Sequence, residues 1–220
     1  GYDIEITRAA TRTTHTGIAA LTQAMIDAEE QITITESGRS VDFKTKAGTT
    51  IEQTLNKLDK AIKTAGLNVE LIRDVSSKAV RNSPQQLTLR HTKFGSEYFF
   101  QVSSNTAGLL SSVADVSERA QNGVDVAGEI AGEGAIGRGR LLTGAGGFGA
   151  KAEGIVIRYD GEKAPPAGQR AGTITFSQNS LSFQVGGNAN QTTKVSLSSV
   201  KAANLGTGVA NDSGFRSFAD

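Results

Sequence analysis

Two consecutive runs decide the fold class: Gln31-Ile-Thr-Ile-Thr-Glu-Ser-Gly-Arg-Ser-Val-Asp-Phe-Lys44, then Thr49-Thr-Ile-Glu-Gln-Thr-Leu-Asn-Lys-Leu-Asp-Lys-Ala-Ile-Lys-Thr-Ala-Gly66. Gln31 to Thr35 and Ser40 to Lys44 read as two strands turning through Glu36-Ser37-Gly38-Arg39, because β-branched residues flank a Ser-Gly turn signal. Thr49-x-x-Glu52 has the spacing of a capping box, in which the hydroxyl accepts from the Glu52 amide and Glu52 reaches back. Behind it Ile51, Leu55, Leu58 and Ile62 recur at the helical period. Gly66 is a natural stop, since glycine enters the left-handed region without a steric penalty. The reading is a hairpin followed by a helix over about Thr50 to Ala65.

Working outward, Leu67, Val69 and Leu71 restart a strand, and Val75 to Gln86 is a polar loop containing Pro84. Leu87 to Lys93 and Tyr98 to Ser103 read as a second hairpin through Phe94-Gly95-Ser96-Glu97. Tyr2, Ile4 and Ile6 alternate with polar residues as a strand. Ala9 to Thr16 reads as an extended connection, and Ile18, Leu21, Met25 and Ala28 suggest a helix over Gly17 to Glu30. Asn105 to Glu118 does not separate into helix or loop. Val124 to Ile130, Gly154 to Tyr159 and Thr173 to Ser177 read as strands around a glycine-rich Gly132 to Gly149. Lys163 to Gly168 reads as a surface turn. Leu181 to Val185 and Lys194 to Val200 flank a Gly/Asn-rich turn, with Phe183, Val185, Val195 and Leu197 as packing residues. The fold class is therefore α+β and β-dominated: two small subdomains of β-hairpins with one covering helix, plus a C-terminal β-hairpin. The divisions are 1–30, an opening strand with a linker or helix; 31–103, a β-β-α-β-β module; 104–180, a Gly-rich β subdomain; and 181–220, the hairpin and its lead-out.

Composition narrows the function classes. Lys and Arg number 23 against 22 Asp and Glu, a net charge of +1, so the basic excess of a nucleic-acid binder is absent. Aromatics are 5% with no Trp, and no apolar run approaches a membrane span. The expected partners exclude nucleic acid and membrane. With no Cys, disulfides, zinc-thiolate sites and thiol nucleophiles are excluded. The chain opens within a strand-like run without Met and reads as an interior piece of a longer protein.

No constellation carries catalysis. Gly132-Glu-Gly-Ala-Ile-Gly137 matches G-x-G-x-x-G, but the following Arg138-Gly139-Arg140 run will not form the helix that a pyrophosphate needs; it reads as a glycine-rich turn. Gly144 to Lys151 lacks the G-K-[ST] of a P-loop. His15 and His91 are far apart, and His91 reads as a surface or half-buried strand residue. Asp27, Glu29 and Glu30 lack calcium-loop spacing and read as a solvated helix end. Lys93 to Phe100 loosely echoes an RNA-binding strand, yet Tyr98, Phe99 and Phe100 read better as a strand buried on both faces. Asn190-Gln-Thr192 and Asn211-Asp-Ser213 fit N-glycan acceptor patterns and carry little weight in so Asn/Thr-rich a chain. No catalytic, cofactor-binding or metal residue is nominated, no cofactor is expected, and the protein reads as a non-enzyme.

The segment Leu181-Ser-Phe-Gln-Val-Gly186, with Gln191-Thr-Thr-Lys-Val-Ser-Leu197 and a small-residue run ending Leu205-Gly206, resembles the β-hairpin of bacterial flagellins. Tyr2-Asp-Ile-Glu-Ile-Thr-Arg-Ala-Ala-Thr11 resembles the strand entering their outer region. Gly48-Thr49-Thr50-Ile51, Val69 and Leu87-Thr88-Leu89 fit the module that flagellins share with the filament cap protein. Gly123-Val-Asp-Val-Ala-Gly-Glu-Ile130, Leu142-Thr-Gly144, Ala152-Glu-Gly-Ile155 and Gly172-Thr-Ile-Thr-Phe-Ser-Gln178 resemble a run of cap proteins and large flagellins. The tail Phe215-Arg-Ser-Phe-Ala-Asp220 resembles the lead-in to the flagellin filament helix. The resemblance implies a structural protein: the surface-exposed outer domains of a flagellin, extracellular, secreted without a cleavable signal peptide, partnered by subunits of the same filament, and monomeric on its own. It also implies that Leu181 to Val200 adjoins the filament core and that exposed Ser or Thr of the outer domain are possible O-glycan carriers. The filament cap protein is the alternative, and a glycan- or host-binding adhesin is the alternative of another class.

Overall fold

The structure is a computed structural model that describes residues 1–73, 78–146, 149–175, 181–184 and 192–195. In chain order its elements are β1 (Tyr2–Arg8), β2 (Arg12–Leu21), α1 (Gln23–Asp27), β3 (Gln31–Glu36), β4 (Arg39–Lys44), α2 (Ile51–Thr64), β5 (Val69–Ile72), α3 (Lys78–Arg81), β6 (Gln85–Phe94), β7 (Gln101–Ser104), β8 (Glu118–Arg119), β9 (Ala127–Ile130), β10 (Glu133–Arg138), β11 (Leu141–Gly144), β12 (Val156–Arg158), β13 (Gly172–Ile174), β14 (Leu181–Gln184) and β15 (Thr192–Val195). The strands form four sheets, ordered β2-β6-β5, β4-β3-β7-β8, β12-β11-β10-β9-β1-β13 and β14-β15. The β-dominated α+β class expected from the sequence is the class observed.

The larger core joins the first two sheets through α2. Ile51, Leu55, Leu58 and Ile62, the periodic set, are all buried, together with Ile32 and Ile34 of β3, Leu87 and Leu89 of β6, Phe100 and Val102. Each such side chain contributes roughly 1.5–3 kcal/mol by leaving water. The cap of α2 sits one residue later than expected. Thr50 is the N-cap: its hydroxyl accepts from the Gln53 amide at 3.2 Å, and the Gln53 side chain accepts from the Thr50 amide at 3.2 Å. Thr49 instead donates to the Lys46 carbonyl at 2.7 Å and lies 2.9 Å from the Thr54 hydroxyl. Gly66 closes the helix at φ +67°. The β3–β4 turn is as expected, with Ser37 and Gly38 both at positive φ, 50° and 77°, which suits a two-residue hairpin.

Four local expectations are corrected. Gly17 to Glu30 is not one helix: β2 runs to Leu21, and only Gln23–Asp27 is helical, capped by Thr22. A strand is imposed because β2 pairs with β6; of the apparent helical stripe Leu21 is buried while Ile18 lies 78% exposed. The polar loop contains the single-turn helix α3. Phe94 to Glu97 is no hairpin turn, since β6 pairs with β2 and β5 while β7 pairs with β3 and β8. The chain passes there from one sheet to the other. Phe99 is 42% exposed beside the fully buried Phe100, so this run is not a strand buried on both faces.

The smaller core lies against the six-stranded sheet and holds Ile4, Ile6, Val126, Ile130, Leu142 and Ala152. The glycine-rich stretch, expected as turn, supplies strands β10 and β11. Close backbone contact explains the glycines: a Cβ on Gly137 would fall 1.6 Å from the Val126 carbonyl oxygen. β14 and β15 pair from Leu181 opposite Val195 to Gln184 opposite Thr192, so the hairpin is present at the backbone level. Val185, Leu197 and the lead-out from Gly206 lie outside the described residues, as do the acceptor patterns at Asn190 and Asn211; the packing roles given to Phe183 and Val195 concern side chains that are not described.

Candidate functional site: the junction between the two cores

Two segments cross between the cores, residues 9–12 and 120–126, and the loop 94–98, which joins two sheets of the larger core, packs against them. Backbone pairing ties them together, with Thr11 N–H donating to the Val124 carbonyl at 2.9 Å and Gly95 N–H to the Thr11 carbonyl at 2.9 Å. The Thr11 hydroxyl accepts from Val124 N–H at 3.0 Å. The fully buried Thr13 hydroxyl accepts from Gly123 N–H at 3.0 Å and donates to the Tyr98 carbonyl.

Asp125 is the hub. Its carboxylate accepts from Ser96 N–H at 3.2 Å, from the Ser96 hydroxyl, and from Gly139 N–H at 2.7 Å. Burial opposes its ionisation most strongly, but these hydrogen bonds and the nearby Arg8 charge together outweigh it and hold the carboxyl below its ordinary value. Above the hub, the guanidinium groups of Arg12 and Arg140 lie 4.4 and 3.6 Å from the Phe94 ring centre. Arg12 comes from the larger core and Arg140 from the β10–β11 turn, so a single aromatic ring links both sheets by cation–π attraction, about 0.5–2 kcal/mol per contact. Arg138 forks onto Glu97 at 2.6 and 3.0 Å.

Beside this clamp runs an open groove of about 420 Å³, lined in part by Lys93, Tyr98, Arg138, Arg140, Leu141 and Arg158. Arg140 and Arg158 share Asp160 at 3.0 and 2.9 Å, and Lys93 lies 5.2 Å from the Tyr98 ring centre. The four cations outnumber Glu97 and Asp160, and the groove is electropositive. A second buried polar knot lies within the larger core. His91, fully buried, is 3.5 Å from Glu36, stacks on Tyr98, and accepts at Nδ1 from Lys93 N–H at 3.0 Å. Burial is the largest influence on Glu36 and resists ionisation, yet hydrogen bonds from Ser37, Asn68 and His91 prevail and lower its carboxyl.

The structure does not bring the sequence-level candidates together. His91 is buried, not at the surface, because β6 is central in its sheet. His15 contacts the Leu110 carbonyl at 2.5 Å. Glu30 is not part of a solvated helix end: it is 2% exposed and accepts from Thr106 N–H at 3.0 Å and from the Thr106 hydroxyl. Glu29 pairs with Lys44 at 2.6 Å. Among the described residues no group of His, Asp or Glu is arranged to hold a metal ion, and no helix is long and apolar enough to cross a membrane. Sequence reasoning missed Asp125, Thr13 and the Phe94 clamp, because their partners lie far away in the chain.

This architecture is a β-dominated α+β arrangement of two cores, with a junction built for rigidity. No protein-family model matches the chain, and no curated protein does. Among solved structures it is similar to the flagellar cap protein FliD D2-D3 domains from Escherichia coli, at 16% identity over 64% of this chain and 76% of that one, with a TM-score of 0.45. FliD (HAP2) from Pseudomonas aeruginosa PAO1 is similar at 18% identity over 81% and 80%, TM-score 0.45. The flagellar cap protein FliD from Bdellovibrio bacteriovorus is similar at 15% over 77% and 89%, TM-score 0.42. The likeness is one of fold and is partial.

Proposed function

We propose that this chain is the outer part of a structural protein of the bacterial flagellar filament, with the filament cap protein as the first reading and flagellin as the second. The observation that supports it is where the family-like stretches fall. The stretch at the N-terminus supplies β1, and those at Gly123, Leu142 and Gly172 supply β9, β11 and β13, all strands of one sheet. The helix start at Gly48 to Ile51 and the strands at Val69 and Leu87 fall on α2, β5 and β6 in the expected order. The flagellin reading leans on the lead-out after Gly206, which lies outside the described residues, whereas the described ones carry the segments shared with cap proteins.

In this reading the protein acts by shape, without catalysis. The junction holds two cores at a fixed angle so that the outer surface meets neighbouring filament subunits outside the cell. Immunogold labelling of the source cells with antibody to this chain tests it. Label confined to filament tips supports the cap reading, label along the filament supports flagellin, and label away from flagella overturns both. The isolated chain is expected to sediment as a monomer, and filaments formed from it alone would contradict that.

A further inference from the structure

The chain contains a single Asn-Gly pair, Asn122-Gly123, and it lies inside the junction. Asn-Gly is chemically labile because glycine leaves its amide nitrogen sterically free. That nitrogen attacks Cγ of the preceding asparagine, the Cγ–Nδ2 bond breaks, and ammonia departs with the proton the amide gave up. The resulting succinimide takes up water at either carbonyl to give aspartate or isoaspartate. Only glycine fits at 123: a Cβ there would fall 2.4 Å from the Thr11 carbonyl oxygen and 2.9 Å from that of Gly95. The packing of the junction therefore fixes the glycine of the labile pair.

The two halves of the reaction are held differently. Asn122 is exposed; its Oδ1 accepts from Arg119 Nε–H at 3.2 Å, a contact that draws electrons from Cγ and favours attack, and its Nδ2 donates to the Ser96 carbonyl at 3.4 Å. The nucleophile is restrained: Gly123 is buried, and its N–H donates to the Thr13 hydroxyl, which passes its own proton contact to the Tyr98 carbonyl. On either side, Thr14 N–H donates to the Gln121 carbonyl at 3.1 Å and Val124 N–H to the Thr11 hydroxyl at 3.0 Å. A backbone pinned at 121, 123 and 124 cannot rotate to close the five-membered ring.

We propose that Asn122 is a deamidation site kept silent by Thr13 while the junction is closed, and made reactive when β2 separates from residues 121–124. Opening then converts a neutral side chain into a carboxylate. The isoaspartyl product also lengthens the backbone by a methylene between the paired residues 121 and 123, so the junction cannot reclose in the same register. The modification is a one-way record of opening.

Peptide mass spectrometry of the chain aged at neutral pH tests this, reading a gain of roughly one dalton at the Asn122 peptide. Native wild type is expected to deamidate at least about tenfold more slowly than the same chain unfolded in denaturant, since local opening limits the rate. Thr13→Val should raise the rate severalfold while the chain still melts cooperatively, and Thr13→Ser should remain silent. Equal rates for native and unfolded wild type overturn the proposal, as does a folded Thr13→Val chain that ages no faster than wild type. Should Thr13→Val fail to fold, wild type in sub-denaturing urea decides. Asn122 loss that rises with hydrogen exchange of the Gly123 amide supports the proposal, and loss independent of that exchange overturns it.

Discussion

At Asp125 one carboxylate gathers three donors from two polypeptide segments far apart in sequence. Its folded-state carboxyl lies below the ordinary aspartate value, so its contribution to stability is fully present above that value and is lost as pH falls through the depressed one. Glu36 has the same sign. Urea midpoints should therefore drop as pH is lowered through the acid range. Asp125→Asn should lower the unfolding free energy at neutral pH by about 1–3 kcal/mol and flatten the remaining fall with pH. A variant with the same acid slope as wild type would assign that slope to the other lowered carboxyls, Glu36 among them. Gly137 makes a second residue-scale case. Gly137→Ala places a Cβ against the Val126 carbonyl, and a loss of about 1–3 kcal/mol in thermal or urea unfolding is expected.

At the scale of elements, the cap of α2 separates two adjacent threonines. Thr50→Ala should cost about 1 kcal/mol in urea unfolding, and Thr49→Ala less, because Thr49 accepts no helix amide. Leu58→Ala, which opens a cavity beneath the same helix, should cost about 2–5 kcal/mol. α2 was legible in the sequence because its apolar period, its Thr start and Gly66 all act within one element. β3 and β4 were legible for the same reason, with a Ser-Gly turn that sets register locally. β2 was misread as helix because Ile18 and Leu21 keep helical spacing. Their fate is set by pairing with β6, some seventy residues away (Thr16 opposite Thr88). The segment after Phe94 was misread because Gly95-Ser96 carries ordinary turn chemistry, while its real partners are Asp125 and Gly139. The junction itself was invisible: Thr13 and Gly123 are 110 positions apart, and no single-sequence pattern links them.

At the scale of the whole molecule, β1 and β9 lie side by side with Arg8 opposite Ala127, although everything from β2 to β8 lies between them in the chain. For the six-stranded sheet, the larger core is therefore the loop of a hairpin whose two stems are already in register. Such a loop is exchangeable cargo. Cutting after Ala10 and before Val126, so that both stay in the smaller core, and bridging with a short Asn-Gly turn should leave a sheet that still folds, which circular dichroism and a cooperative melt would show. A different globule spliced at the same two positions should be carried equally well, provided its own ends emerge about one strand spacing apart, roughly 5 Å. The larger core can thus be exchanged without any revision of the sheet that bears it.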